Sequence, residues 1–293
     1  MCRLFGFSKQ AYFKRLSSYK PDYDRDKVRK LVMDIRSELP RLGARKLYHL
    51  MKEDLCNERI KLGRDRLFDF LREEYLLVGK RKKYTKTTHS KHWMRKYPNR
   101  TRSISLTRPE QLWVADITYL NTKNGSEYLH LITDAYSKQI MGYELSNDLK
   151  ASSTVKALGR ALNNRKYSHP LIHHSDRGLQ YCSTEYTQLL KSNNISISMT
   201  EQYDPYENAI AERVNGILKD EFGLDRLFNS NQELHQQLQQ SVYAYNHLRP
   251  HLSLHMMTPI NAHNQSKIVP KKWRKEKPPS IEPDGFLNSN FNI

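Results

Sequence analysis

The first part of the chain carries hydrophobic residues at helical spacing. In the segment before Pro40 they recur three or four positions apart, at Val28, Leu31, Val32, Ile35 and Leu39. Two similar runs follow, in LGARKLYHLMKED and LGRDRLFDFLREE. The pattern predicts three short helices, so residues 1–74 are expected to form a small helical, helix-turn-helix-like domain.

The pattern changes to alternating strands and helices between residues 109 and 265. Three apolar segments predict an antiparallel meander with a hairpin at Asn124-Gly125; they cover residues 111–120, 126–137 and 139–146. Helices are then predicted at 151–166, 183–194 and 206–222, and strands at 170–176 and 195–200. The fold class is therefore α/β, with a mixed five-stranded sheet flanked by helices, in the order expected of an RNase H-like fold.

The chain is strongly basic. Its 293 residues include 49 lysines and arginines against 31 acids, a net charge of +18. A charge of this size favours a polyanionic partner such as nucleic acid, although some basic proteins are simply soluble. Three scattered cysteines, no secretory signal and no long apolar run together predict a cytoplasmic protein with no membrane partner.

Two parts of the chain are candidates for contact with nucleic acid. Residues 75–108 hold eleven lysines and arginines and no acid, and are predicted to form a basic linker. Interleaved aromatic residues favour a segment that tracks DNA over a solvated charge run; its candidate contacts are Lys80, Arg81, Lys82 and Lys83. Arg64 and Arg66, which begin the third helix, could reach phosphates or bases, or could be solvated. The basic tail, 266–293, is expected to be partly disordered.

Three acids stand out by their positions. Asp116 lies within a strand that is apolar on both faces, where an unpaired carboxylate is costly to bury. Asp176 follows the apolar end of another strand, where ligands of open α/β sheets bind. Glu212 lies within the last predicted helix. Each alone could be structural, as a satisfied core acid, a turn residue or a surface ion pair, and Asp134 is most simply a turn residue.

The helix that carries Glu212 is predicted to have two distinct faces. A polar stripe has members spaced by four, three and four residues, namely Asn208, Glu212, Asn215 and Lys219. An apolar stripe, expected to face the core, contains Ile210, Val214 and Ile217. Lys219 lies about two turns beyond Glu212, where a cation could hold a phosphate.

Three carboxylates are a suitable ligand set for hard divalent cations. Oxygen ligands favour Mg²⁺ or Mn²⁺, and two such ions can promote in-line displacement at phosphorus. His174, two residues before Asp176, could contact DNA, although a structural imidazole is the simpler interpretation.

The segments WVADITYL, LIHHSDRGLQY and ENAIAERVNGILKDEF together resemble the catalytic core of the DDE transposases of bacterial insertion sequences. They are most similar to the group encoded by two overlapping reading frames, which is related to retroviral integrases. Thirty-five residues separate Asp176 from Glu212, and Lys219 follows Glu212 by seven, as in that family. Asn208 matches a motif position with a supporting role and is a candidate nucleic-acid contact, and the residue before it is glutamate where the family often has aspartate.

The resemblance implies that Asp116, Asp176 and Glu212 are catalytic and bind two Mg²⁺ or Mn²⁺ ions, and that Lys219 contacts DNA near the cleavage site. It implies a transposase catalytic subunit that cleaves and joins double-stranded DNA at terminal inverted repeats and in target DNA. It also implies that the chain self-associates on DNA in the bacterial nucleoid. A further implied partner is the protein encoded by the upstream reading frame, either as a separate protein or fused to this chain. One alternative is a regulator that binds DNA but catalyses no reaction on it. Another is an RNase H-like nuclease that cleaves RNA–DNA hybrids.

Overall fold

The N-terminal helices form where the sequence predicts them. The computed structural model describes residues 8–11, 13, 23–79, 94–101, 104–201 and 208–265. From residue 23 onward the first three helices are α1 (Arg25–Glu38), α2 (Ala44–Asn57) and α3 (Arg64–Glu73). The Asp24 side chain accepts hydrogen bonds from the free backbone N–H groups of Asp26 and Lys27, and so fixes the start of α1.

A mixed β-sheet forms the centre of the molecule. Its strands are β1 (Leu112–Thr122), β2 (Gly125–Asp134), β3 (Ile140–Ser146), β4 (Leu171–Ser175), β5 (Ile195–Met199) and the short β6 (Leu227–Phe228). The order is β3-β2-β1-β4-β5, and β6 pairs with the far end of β1. The first three strands are antiparallel, whereas β4 runs parallel to β1 and β5 parallel to β4. This topology confirms the predicted RNase H-like sheet and adds the unpredicted β6.

Helices cover both faces of the sheet. One face carries α4 (Ala151–Asn163), α5 (Leu179–Cys182) and α6 (Thr184–Ser192), and the other carries α7 (Ala209–Phe222) and α8 (Asn231–His247), followed by α9 (Pro259–Asn264). Both α8 and α9 lie where the hydrophobic pattern predicted no element. No helix within the described ranges has the length and apolar character needed to span a bilayer.

The N-terminal helices share a hydrophobic core with the sheet domain. One cluster of buried side chains runs from Val32, Leu47 and Leu71 in the helical region to Leu129 in β2 and Leu238 in α8. A polar contact crosses the same boundary, since the backbone N–H of Arg41 donates to the Glu221 carbonyl at 3.2 Å. The helical region is therefore packed against the α7–α8 side of the molecule rather than held apart by a linker.

The second half of the predicted linker also packs on the sheet domain. Met94 and Tyr97 lie against the core cluster beneath α4 and α6. The backbone N–H of Asn99 donates to Glu201, and that of Arg100 donates to the Ser198 hydroxyl at the edge strand β5. Residues 94–101 thus line the edge of the sheet, which is an ordered role that the charge pattern alone did not predict. Residues 80–93, including the candidate contacts Lys80, Arg81, Lys82 and Lys83, lie outside the described residues.

Candidate active site

Two of the predicted acids lie near each other where β4 ends alongside the middle of β1. In the register of β1 and β4, Val114 is paired with His174. Asp116 and Asp176 each follow this pair by two residues in their own strand direction. The strand alignment therefore brings the two acids to the same level of the sheet, at the end of β4. Asp116 also shares the face of β1 that packs against α7, because side chains alternate along a strand. The convergence of these two acids is a consequence of strand pairing over sixty residues of sequence.

A tight turn fixes the carboxylate of Asp176. Its Oδ1 accepts the backbone N–H of Gly178 at 2.9 Å. A Cβ atom at Gly178 would lie only 3.0 Å from that same oxygen and 3.1 Å from Oε1 of Gln180. A side chain at Gly178 would therefore crowd the Asp176 carboxylate in this turn.

Two buried amides on the polar stripe of α7 attach this helix to β1 on either side of the Asp116 side chain. Asn208 donates from Nδ2 to the Ala115 carbonyl at 3.0 Å. Asn215 donates from Nδ2 to Oδ2 of Asp116 at 2.9 Å. Because Glu212 lies in the first turn of the same helix, these bonds set the position of Glu212 relative to Asp116. The sequence placed Asn215 in the polar stripe but did not predict its contact with an acid. Only the fold shows that its partner is the Asp116 carboxylate.

The electrostatics show that the three acids share one environment. Burial, together with the charges of Asp176 and Glu212, raises the pKa of Asp116 to about 7, and the Asn215 hydrogen bond opposes the shift. The pKa of Tyr181 is also raised, first by burial and then by the charge of Asp176. The site therefore gathers negative charge in a place where water stabilises it poorly.

Lys219 lies close to this acidic cluster. Burial lowers the pKa of its ammonium group, and the charge of Asp116 acts in the opposite direction. Its Nζ lies 5.8 Å from the centroid of the Tyr119 ring, which is itself 41% exposed. The Lys219 cation thus lies near both Asp116 and a solvent-facing aromatic side chain.

The donor atoms of the site fit a divalent metal. Among the described residues, no set of three or more His, Cys, Asp or Glu side chains is already gathered into a metal-binding group. The site nevertheless offers hard carboxylate oxygens, and the raised pKa of Asp116 shows that its charge is poorly compensated. Carboxylates repel one another when no cation lies between them, and a bound cation would relieve that repulsion.

His174 is not available to contact nucleic acid. His174 is part of β4, its side chain is fully buried, and its Nδ1 lies 2.8 Å from the hydroxyl of Ser198 on β5. The Ser198 hydroxyl in turn accepts the backbone N–H of Arg100. The prediction of a DNA contact at His174 is therefore wrong, and the imidazole joins β4, β5 and the 94–101 segment.

Asn208 also has a role different from the predicted one. It was expected to contact nucleic acid, but its side chain is 7% exposed and binds the Ala115 carbonyl. Its carbonyl oxygen Oδ1 is buried without a hydrogen-bond partner among the described residues. The structure therefore corrects the predicted role of Asn208, which is to anchor α7 on β1.

The two arginines of the helical region lie on the surface. Arg64 and Arg66 are exposed at the start of α3, and Arg64 forms an ion pair with Asp65 at 2.9 Å. Both line an open groove between α2 and α3, together with Lys52 and Lys61. Their contact with DNA remains a prediction, and the exposed position is compatible with it.

A second polar cluster looks like a catalytic triad but is sealed from solvent. The Ser137 hydroxyl lies 2.9 Å from Nδ1 of His263, and Nε2 of His263 lies 3.2 Å from Glu110. Asp134 accepts the backbone N–H and the hydroxyl of Ser137, as expected of a turn residue, and also the backbone N–H of Glu110. All four side chains are fully buried, so no substrate can reach the serine. The cluster ties α9 to the sheet.

Comparisons with known proteins point to one family. Models of the integrase core domain match residues 107–205 and 193–259. The chain is 31% identical over 263 residues to the insertion element IS600 uncharacterized 31 kDa protein of Shigella sonnei, covering 88% of this chain and 96% of that protein. It is 34% identical over 177 residues to the transposase for insertion sequence element IS629 of Shigella sonnei, covering 60% and 58% of the two chains. The solved HTLV-2 integrase catalytic core domain in complex with magnesium is 22% identical, covers 53% of this chain and 97% of that chain, and has a TM-score of 0.44.

The sheet topology and the family models define the class, which is that of proteins with an RNase H-like integrase core. Because the similarity to the IS600 protein spans nearly the whole of both chains, a narrower assignment follows. The chain belongs to the integrase-core transposases of bacterial insertion sequences.

Proposed function

We propose that this chain is the catalytic subunit of its element's transposase, and that it cleaves DNA strands at the element ends and joins them to target DNA. The observation that carries the proposal is the contact between Asn215 and Asp116. That bond connects the helix of Glu212 to β1, the strand of Asp116. Strand β1 pairs in parallel with β4, and Asp176 directly follows β4. This bond supports the proposal because it holds the helix of Glu212 against the strand of Asp116, next to the end of β4 that leads to Asp176.

Asp116, Asp176 and Glu212 are the proposed ligands of two Mg²⁺ or Mn²⁺ ions. Bound there, the ions would lower the barrier to attack on a phosphodiester by water or by a DNA 3′-hydroxyl. Asn215 holds one oxygen of Asp116 and so orients the other toward the site, and Asn208 keeps α7 seated on β1. Lys219 offers its ammonium group to a DNA phosphate beside the acids.

DNA is the proposed partner at several surfaces. The net charge of +18 favours association with the terminal inverted repeats and with target DNA. Synapsis of two element ends requires self-association of the chain on DNA. We further propose that terminal-repeat recognition involves the upstream-frame product, either as a separate protein or fused to this chain.

The test uses two isosteric substitutions on the same helix. Glu212→Gln removes a proposed metal ligand, and Asp220→Asn removes an exposed acid from the same helix as a matched control. Both proteins, with the wild type, are assayed on duplexes that carry the terminal repeat, in Mg²⁺, in Mn²⁺ and in EDTA, with and without the upstream-frame product. We expect Glu212→Gln to abolish cleavage and strand joining while DNA binding is retained, and Asp220→Asn to behave as the wild type.

Two outcomes would contradict the proposal in different ways. Cleavage by Glu212→Gln at the wild-type rate would remove Glu212 from the chemistry. A wild-type chain that binds the ends but never cuts them, even with the upstream-frame product and either metal, would identify a DNA-binding regulator instead. Preferential cleavage of RNA–DNA hybrids over duplex ends would favour a ribonuclease.

A further inference from the structure

A cationic cleft lies on the far side of α7 from the acids. It has a volume of about 550 Å³ and is bordered by α2, by α7, by the β2–β3 turn and by the segment that follows α8. An α-helix turns by about 100° per residue, so Ile217 in the cleft is separated from Glu212 by about 140° around the α7 axis. Lys219, by contrast, is only about 20° from Glu212. The cleft and the acidic site therefore occupy opposite flanks of one helix.

The cleft contains more positive than negative charge. Its wall includes the cationic side chains of Lys46, Lys138, Arg213 and Arg249. Lys46 and Arg249 both bind one carboxylate, that of Glu221, at 3.0 and 2.7 Å. Glu221 thus pairs with two of the four cations and the charge of Asp134 favours the protonated form of Lys138, so the four cations still outnumber these two acids.

The cations of the cleft are mutually unfavourable as they stand. The pKa of Lys46 is lowered to about 8 by burial and then by the charge of Arg249, against the opposing effect of Glu221. The pKa of Lys138 is lowered to about 8 by burial rather than by another cation, and the charge of Asp134 opposes that shift. The pKa of His251 in the same wall is lowered first by burial and then by Arg249. A bound anion would reduce this repulsion.

Arg249 provides a second and independent sign of a missing acceptor. Its side chain is 2% exposed, and its Nε and Nη2 donate to Glu221 at 2.8 and 2.7 Å. Its Nη1 is buried and has no hydrogen-bond partner within the described part of the chain. A buried guanidinium nitrogen without an acceptor is unfavourable, and buried polar groups are normally satisfied.

We propose that this cleft binds a phosphate group, carried either by a DNA strand or by free phosphate. Arginine and lysine side chains at several points of one concave wall suit a compact multivalent oxyanion. Because Lys46 belongs to the helical region and Arg213 to the helix of Glu212, the bound group would fasten these two parts together. The proposal concerns binding alone, so it stands or fails separately from the chemistry at the acids.

The experiment compares charge-matched variants of the full chain. Arg213→Gln removes an exposed cation of the cleft, and Lys138→Gln is a second, independent cleft variant. Lys156→Gln removes one exposed positive charge from α4, on the other face of the sheet, as the control. Circular dichroism in chloride first establishes that each variant is folded.

Two measurements separate the possible sources of the phosphate. The first is the unfolding temperature in millimolar inorganic phosphate against chloride at equal ionic strength. If free phosphate is the ligand, phosphate stabilises the wild type and Lys156→Gln but not the cleft variants. The second is the salt dependence of affinity for duplex DNA. If a DNA phosphate is the ligand, the slope of log K against log salt falls by about 1 in the cleft variants relative to Lys156→Gln.

Either result would support the phosphate site and would identify its source. The proposal is overturned if both cleft variants match Lys156→Gln in both measurements. Neither measurement requires cleavage, so loss of the proposed metal chemistry would leave the outcome unaffected.

Discussion

Replacing Asp116 with asparagine should stabilise the metal-free protein at neutral pH. Burial and the charges of Asp176 and Glu212 raise the pKa of Asp116 from 3.8 to about 7. A carboxyl group with a higher pKa in the folded state releases its proton more readily when the chain unfolds. Its ionisation therefore costs stability progressively as pH rises from about 4 to about 7. Asparagine does not ionise and avoids this cost.

The magnitude of the stabilisation by Asp116→Asn follows from the pKa shift of Asp116. An interval from 3.8 to about 7 corresponds to about 4 kcal/mol of unfolding free energy if the group were wholly shielded from solvent. Asp116 is partly exposed, so solvent screens part of the penalty. We therefore expect Asp116→Asn to raise the unfolding free energy by about 2 kcal/mol at pH 8 relative to its effect at pH 4.

The assay is urea unfolding in EDTA, followed by circular dichroism at about pH 4 and about pH 8 for both proteins. The difference between the variants cancels groups that titrate in both, including His173, whose pKa burial lowers to about 3. Added Mg²⁺ or Mn²⁺ should then stabilise the wild type more than the variant, because a ligand stabilises the state that binds it.

A specific result would refute this reasoning. If Asp116→Asn and the wild type showed the same pH dependence in EDTA, the carboxyl would carry no penalty from its neighbours. A variant less stable than the wild type at pH 8 would show that the carboxylate itself holds the fold together.

Three further predictions test individual contacts. Gly142→Ala on β3 should destabilise the protein by about 3 kcal/mol in urea unfolding, because the new Cβ would lie 2.3 Å from the Ala157 carbonyl oxygen on α4. As a control, Gly159→Ala within α4 places a Cβ that meets nothing within 4 Å, and it should stabilise the protein by up to about 1 kcal/mol. Equal effects of the two substitutions would contradict this account of the β3–α4 contact. His174→Ala should lower the unfolding free energy by about 2–4 kcal/mol while the folded variant keeps its DNA affinity in gel-shift assays, and a selective loss of affinity would restore His174 as a DNA contact. Asn215→Leu keeps the approximate volume but removes the hydrogen bond to Asp116, and should reduce cleavage at least about tenfold with little change in DNA binding; unchanged cleavage would show that Asp116 needs no support from α7.

The sequence by itself determined most of the local elements and singled out the three acids as candidates. Periodicity of 3.6 and of 2 residues is a short-range property, so α1, α2, α3 and the β1–β3 meander could be predicted from neighbouring residues alone. The resemblance of three short segments to a transposase core supplied the acids and their spacing, and the family comparisons confirmed that assignment of the chain.

Only the tertiary structure decided which polar residues serve the site and which serve the core. Asn208 and Asn215 share a stripe with Glu212 in sequence, but strand β1 determines that one binds a backbone carbonyl and the other binds Asp116. His174 is two residues from Asp176, yet the pairing of β4 with β5 buries it. Likewise, Lys46 and Arg249 are about two hundred residues apart and meet at Glu221 only because the helical region packs against α7. Hydrophobic patterning records which face of an element is buried, whereas the partner on that face depends on how distant elements pack.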